Sequence, residues 1–596
     1  MTRILLTLLA LAGAIAATLI GDRPAPPAAF TYIDKQPSFT LDPQRVSYEQ
    51  DIRLTTALFA GLVDADPYTF DLGPGLAERW TVSDDGLVIV FHLRENLRWS
   101  NGEPLTADDV VYSWRRALMP DTAADYASAL FHVRGAEAFF AWRTQQLADY
   151  AARPAPERTA RAALALREAS EREFAETVGV TAPDPNTLVV ELRAPTPFFL
   201  DLCAFPALFP VHPPTVEADV TVDPATGRIE QRHEWTKPPR LVSSGAYRLD
   251  TWRFKRDMLL VKNPHYWNAD EVALESIGVL VIEDPATAVL AYQTGGADWL
   301  SDVLTDYLPD MLADPESGVH GHTRFGTYFW SFNCTPTLTG GRPNPFHDPR
   351  VRRAFAMVVS KDDIVNKVRR VGEEPADTLV PHGAVPGYDT GSTIGGPPFD
   401  PAGARALLAE AGWVDRDGDG VPENSAGEPF PVVEMLSSTG SYHQNVALAM
   451  GSMFLERLGV RSRIVQKESK AYRDDLKRRD YMMARGGWFG DFGDPTTFLD
   501  IHTTGDGNND RGYSSPRFDE LMELARHEPD PARRLQILAD AERLTTEVDL
   551  PIIPIWRYRQ FYMYDADRVH GLSRHPRSMQ RLDHLSLSPA ALESAP

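Results

Sequence analysis

Apolar and polar positions along the chain follow two rhythms, one of strand type and one of helix type. The run LVIVFHL, Leu87 to Leu93, is rich in β-forming residues and follows the turn Ser83-Asp84-Asp85-Gly86, so it predicts a strand. Thr106 then opens a helix: Asp109 three residues on completes a capping box, and Val110, Trp114 and Leu118 share one apolar face. Asp348 and Pro349 take the N-cap and first helical position ahead of Val351, Phe355 and Val358. Ser360 with Asp363 restarts the chain into a further helix through Ile364, Val365 and Val368. Ser515-Pro516 opens another, with Phe518, Leu521, Met522 and Ala525 inward. Residues 137 to 175 form an Ala/Arg/Glu-rich helical stretch that reads as a surface insertion. Strands and helices intermingle without an internal repeat, so mixed α/β structure in several domains is expected.

Length sharpens this picture, because 596 residues are too many for one hydrophobic core and imply two or three domains. A net charge of -23 excludes a nucleic-acid binder, whose ligand demands a basic face, and argues against adhesion to an anionic membrane. One segment could meet a bilayer. Arg3 precedes the apolar run Ile4 to Ile20, which carries small residues at Ala14-Ile15-Ala16 and is followed by the Pro-rich GDRPAPPAAF. Basic start, short apolar run and small residues read as a secretory leader over residues 1–21. The alternative is an uncleaved anchor, which Thr7, Gly13 and Thr18 disfavour. No cysteine follows the run, so the expectation is a soluble, exported, periplasmic protein without a lipid anchor.

The chemistry of catalysis is missing from the sequence. There is no GxxxxGK[ST], no HExxH and no GxSxG, and His233-Glu234 runs on into Trp-Thr-Lys without completing a zinc motif. Cys203 and Cys334 are the only two cysteines, too few for a disulfide framework and best read as buried thiols. One segment has metal-like spacing: Asp415, Asp417 and Asp419 stand at positions 1, 3 and 5, with Gly420 at 6, as in loops that wrap Ca²⁺. Ala426 occupies position 12, where such loops carry Glu, so the alternative is a plain acidic turn. No cofactor is required, and Ca²⁺ is the one candidate ion. The stretch WFGDFGDPTTFLD, Trp488 to Asp500, sets aromatic faces, a charge and Gly/Pro backbone together as ligand clefts do; the alternative is a packed turn.

The stretches AERWTVSDDGLVIVFHLRENLRWSNGEPLTADDVVYSW (Ala77 to Trp114), GVTAPDPNTLVVEL (Gly179 to Leu192) and SGAYRLDTW (Ser244 to Trp252), followed by NPHYWNADEV, DPRVRRAFAMVVSKDDIVNKV, ARGGWFGDFGDPTTFL and NNDRGYSSPRFDEL, resemble a known family. They are similar, in the same order, to the extracellular solute-binding proteins of family 5, the peptide/nickel class, and within it to the oligopeptide-binding proteins of ABC importers. The resemblance runs from about residue 30 to 560. It implies an α/β, two-lobed periplasmic binding protein clamp of class II type with an additional smaller domain, three domains in all. The expected division is a first lobe from 22–59, 196–325 and 558–596, a middle domain over 60–195, and a second lobe over 326–557. Hinged closure is the motion of this class.

The resemblance also implies a site. Asp491 matches the aspartate that receives a peptide's α-ammonium, and a buried cation needs such a partner. Tyr126, Tyr328 and Trp330 match cleft residues, and Trp488 lies in the same loop. Arg485, Arg369 and His443 match positions that receive a peptide's carboxylate, Arg369 standing where lysine is usual. Backbone around Gly487 and Phe489 would pair with peptide amides by strand addition. Two departures, Ser469 in place of a pocket tryptophan and Arg557 in place of an aromatic, bear on which peptide is preferred. The implied partners are an oligopeptide ligand and the permease subunits of an inner-membrane transporter, with a monomeric receptor. An in-family alternative carries a nickel chelate, haem, an opine or an oligosaccharide, and an out-of-family alternative is a secreted hydrolase. The leader is expected to be removed near Ala16 or Ala17. N-terminal sequencing of the periplasmic fraction checks this, and an intact Met1 in the membrane pellet would identify an anchor instead.

Overall fold

The computed structural model describes residues 27–303, 308–388 and 394–588; the expected leader lies outside them. Ten strands form one sheet: β1 (Phe30–Asp34), β2 (Tyr247–Arg253), β3 (Asp257–Lys262), β4 (Ser276–Val281), β5 (Trp299–Leu300), β6 (Val319–Phe332), β7 (Val433–Ser438), β8 (Ser462–Lys467), β9 (Met483–Phe489) and β10 (Ile552–Tyr564). Their order is β2-β3-β4-β1-β5-β10-β6-β9-β7-β8. The long antiparallel pair β6 and β10 is the seam. Val319 to Thr323 pair with Met563 to Arg559, the register then breaks, and Thr327 to Ser331 pair with Arg557 to Ile552. The burial changes over at this break. On one side lies a core holding Phe30, Trp114, Trp235 and Trp299; on the other lies a core holding Phe355, Phe454 and Trp556. The architecture is α/β and two-lobed, as expected.

The local elements follow from their residues. The strand Val88–Leu93 buries Ile89, Phe91 and Leu93 alternately and joins a separate four-stranded sheet with Ala77–Val82, Val180–Asp184 and Thr187–Glu191. The helix Ala107–Ala117 starts with the predicted capping box of Thr106 and Asp109. Asp348 caps Pro349–Ala356, and the helix Pro516–His527 buries Phe518, Leu521, Met522 and Ala525. Cys203 and Cys334 are buried free thiols. Among the described residues no helix is long and apolar enough to cross a membrane.

Two expectations change. The helix restarted at Ser360 widens into a π-helical turn over Ile364–Arg369 and ends at Arg370 in the left-handed region. The helical stretch expected from 137 to 175 is two helices, Ala136–Ala151 and Ala160–Thr177, each with one face buried. Phe139, Tyr150 and Phe174 are buried, and so is Arg143, which donates Nε and Nη2 to Asp121 at 3.0 and 2.9 Å. A charge with no exposure survives there because its partner is buried with it.

A second buried pair bears directly on the cleft. Arg534, on the helix Pro531–Arg543, gives Nη2 to Asp494 at 3.0 Å and Nη1 at 2.5 Å, and Asp494 also accepts from the backbone of Thr496 at 3.0 Å. It thereby ties the loop after β9 to the second core. Asp494→Ala would strand a guanidinium that is 5% exposed, so it is expected to cost about 3–5 kcal/mol in urea unfolding. A loss below about 1 kcal/mol, the range of surface pairs, would show that solvent reaches this arginine.

Candidate functional site

Strand β9 is paired along one edge with β6, from Gly326 opposite Phe489 to Phe332 opposite Met483. Its other edge meets β7 only at Met483 and Ala484. Among the described residues Arg485 to Phe489 therefore present a strand edge with no strand beside it. At Gly487 a Cβ would stand 2.3 Å from Tyr558 Oη, so the ring crosses the strand where only glycine leaves room. Phe489 stacks on that ring at 4.6 Å and 24°.

Asp491 lies just past the end of β9. Its N–H donates to Thr497 Oγ1 at 3.0 Å, and it shares a cavity wall with Tyr126, whose hydroxyl interacts with its carboxylate. Among the described residues no basic side chain lies within ion-pair distance of it. Asp491 faces two cavities. One, of about 140 Å³, is lined by Arg53, Phe205, Arg324, Phe489 and Arg577. The other, of about 470 Å³, is lined by Tyr126, Phe131, Phe198, Trp488 and Phe492. Desolvation by the surrounding rings raises the Asp491 carboxyl above its ordinary value and Tyr126 opposes this, although the residue itself is exposed in this conformation. Enclosure, with the Asp491 charge second, pushes the Tyr126 hydroxyl up to about 12. A partly desolvated carboxylate without a countercharge favours an incoming cation. The loop also touches the helix Phe199–Cys203 and the residue before it: Gly493 N donates to Asp201 at 3.0 Å, and Phe492 stacks on Phe198 at 4.4 Å.

Arg485, Arg369 and His443 do come together, but not as three free cations, and that expectation is corrected. Arg369 gives Nε and Nη2 to the two oxygens of Glu373 at 2.9 and 2.8 Å. His443 is buried, with Nδ1 3.3 Å from Tyr328 Oη. Burial, then the guanidiniums of Arg485 and Arg369, push its imidazole down to about 3, so it is neutral at pH 7. Arg485 donates Nη2 to Ser438 Oγ at 2.9 Å, its Nε is buried without a partner, and no carboxylate pairs with it among the described residues.

Tyr328 and Trp330 were expected as cleft residues, yet both have 0% exposure. Tyr328 stacks on Trp556 at 3.7 Å and Trp330 is part of the second core, so in this conformation they form the wall behind the cleft. Their period-2 spacing on β6 puts both on the face that packs. Arg557 is buried too. It donates to the Thr378 and Leu379 carbonyls at 2.8 and 3.2 Å and does not reach the cleft. Ser469 starts the exposed first turn of Ser469–Arg478. Sequence reasoning missed Glu373, Asp201 and the tyrosines Tyr442, Tyr472 and Tyr558. The one available signal was Tyr442 beside His443.

Residues 71–510 match the family described as bacterial extracellular solute-binding proteins, family 5 Middle. The periplasmic oligopeptide-binding protein OppA of Escherichia coli is 28% identical over 581 residues, covering 94% of each chain. Among solved structures, the unliganded open form of the periplasmic murein tripeptide binding protein MppA is 27% identical. It covers 94% of this chain and 97% of that one, with a TM-score of 0.74. Haemophilus influenzae OppA in complex with RPPGFSPFR is 26% identical, covers 95% of this chain and 100% of that one, and has a TM-score of 0.66.

Apart from the cleft, Asp415, Asp417 and Asp419 bring one carboxylate oxygen each within 4.8 Å of one another on an exposed turn. They already accept N–H bonds from their own loop, Asp415 from Gly418 at 2.8 Å and from Gly420 at 3.0 Å, and Asp419 from Val421 at 2.8 Å. Calcium held there would bind only the folded loop and stabilise it. EDTA is then expected to lower Tm, and an unchanged melting curve with no metal by elemental analysis leaves an acidic turn and nothing more.

Proposed function

The chain belongs to the bacterial extracellular solute-binding proteins of family 5, and from that premise we propose that it is a periplasmic receptor that binds peptides and hands them to an ABC permease. The observation that carries this reading is the open edge of β9, five residues long, with a carboxylate beyond one end and a guanidinium at the other that have no ion-pair partner among the described residues. An extended peptide has the complementary order: ammonium, alternating N–H and C=O groups, carboxylate. Added as a strand beside Arg485 to Phe489, it would satisfy main-chain groups on both partners and leave side chains loosely specified. The ammonium would meet Asp491 and Tyr126, and the carboxylate would meet Arg485, each a charge-assisted contact.

The aromatic cavity walls around Asp491 suit side chains of varied shape, because flat apolar faces contribute area without demanding a hydrogen-bond pattern. The relatives that bear the names of oligopeptide-binding and murein tripeptide binding proteins support the same ligand class. In this reading the protein binds and releases its ligand unchanged, acts as a monomer and requires no cofactor. No paired nucleophile and base stand in the cleft among the residues described above.

Asp491→Asn keeps the shape of the anchor and removes its charge. It is expected to weaken peptide affinity by about 2–5 kcal/mol, the scale of a truncated buried charge pair, and N-acetylation of the peptide should weaken wild-type binding similarly. Calorimetry that finds free and acetylated peptides bound equally would mean that the amine is not read at Asp491.

A further inference from the structure

Two guanidiniums stand at the carboxylate end of the open edge, in different states. Arg369 is closed off. Both of its contacts to Glu373 are short and parallel, and the side chains are 19% and 4% exposed. Its flat face lies 4.4 Å from the Tyr442 ring centroid. The segment between the two residues is pinned: Arg370 takes a left-handed conformation with φ 60°, and Gly372 has φ 71°. Arg559 donates to the Val371 carbonyl at 3.3 Å and also to that of Gly372. A Cβ on Gly372 would stand 2.5 Å from Arg559 Nη1. Glu373 is thus held where it is by backbone as well as by charge. Arg485 has only a hydroxyl and an orphaned Nε, and the neutral His443 adds no charge.

We propose that Glu373 is a specificity-determining residue: by neutralising Arg369 it leaves Arg485 as the cation open to a ligand at this end, so the cleft accepts one carboxylate there and rejects a second. This rests on the peptide reading given above. A peptide ending in Asp or Glu brings two carboxylates to the same place. One pairs with Arg485. The other finds Arg369 already paired with Glu373 and no free donor of opposite charge beside it. Displacing Glu373 would leave that carboxylate unpaired in its turn. Peptides with a neutral last residue escape both costs.

Calorimetry with trialanine and Ala-Ala-Glu tests this. Wild type is expected to bind trialanine at least about tenfold more tightly, the scale of a single unfavourable charge juxtaposition. Glu373→Gln keeps the shape, frees Arg369 and should remove most of that ratio. The double variant Glu373→Gln with Arg369→Met takes the second cation away again and should restore it, which separates a charge effect from a fold that has simply loosened. Equal ratios in wild type and Glu373→Gln, no preference in wild type, or a relaxed ratio in the double variant would each overturn the role of Glu373 while leaving peptide binding intact. If neither peptide binds wild type, the peptide reading fails and this inference fails with it.

Discussion

The cleft depends on where β7 stops pairing with β9. The two strands share a register only at Met435 with Met483 and Leu436 with Ala484. Beyond that point five residues of β9 keep one edge without a strand. Main-chain N–H and C=O groups in a semi-enclosed place must be paired with something, and water does so at the cost of leaving the cleft wet. An edge of this kind is a liability in most sheets, because any extended chain can add to it. Here Arg485 to Trp488 are half-buried, and its end at Phe489 and Asp491 borders two cavities. The seam of β6 and β10 makes that placement possible. These strands run through both cores, and their register breaks between Thr323 and Thr327, so the sheet is continuous while the packing on either side is not.

Electrostatics divides the same region into groups that are spoken for and groups that are not. Asp494 is held by Arg534, Arg369 by Glu373 and Asp201 by Arg577. Each pair removes a charge from competition for ligand and fixes a backbone segment. Asp491 and Arg485 are left over. A partly desolvated charge gains from a partner, and two such charges of opposite sign, unpaired among the described residues at the two ends of one open edge, describe what the ligand must supply. The tyrosines around Arg485 and the aromatic rings around Asp491 lower the local polarity and so strengthen whatever pairing a ligand brings. The neutrality of His443 belongs to the same balance: two guanidiniums nearby make an imidazolium unfavourable, so the site has one fewer cation than its residue types suggest.

The sequence by itself determined the local elements and the kind of protein. Capping residues such as Thr106 with Asp109, or Asp348 with Pro349, act within one helical turn, so their meaning does not depend on the rest of the chain. The alternation in Leu87 to Leu93 and the period of Phe518, Leu521, Met522 and Ala525 are equally local, because each records which face of one element is buried. The stretch around Asp491 stood out for a similar reason: a carboxylate, glycines and aromatics lie within a few residues of one another. What only the tertiary structure decided is the state of each charged or aromatic group. Nothing within one turn of Arg485 shows that no carboxylate pairs with it, and nothing near Tyr328 and Trp330 shows that their face of β6 packs inward. Whether Arg369 is free depends on a π turn and a left-handed Arg370 that let Glu373 fold back, and whether Arg143 is buried depends on Asp121 from another segment. Burial and pairing are sums over neighbours that the chain brings from hundreds of residues away, and a local pattern carries no record of that sum.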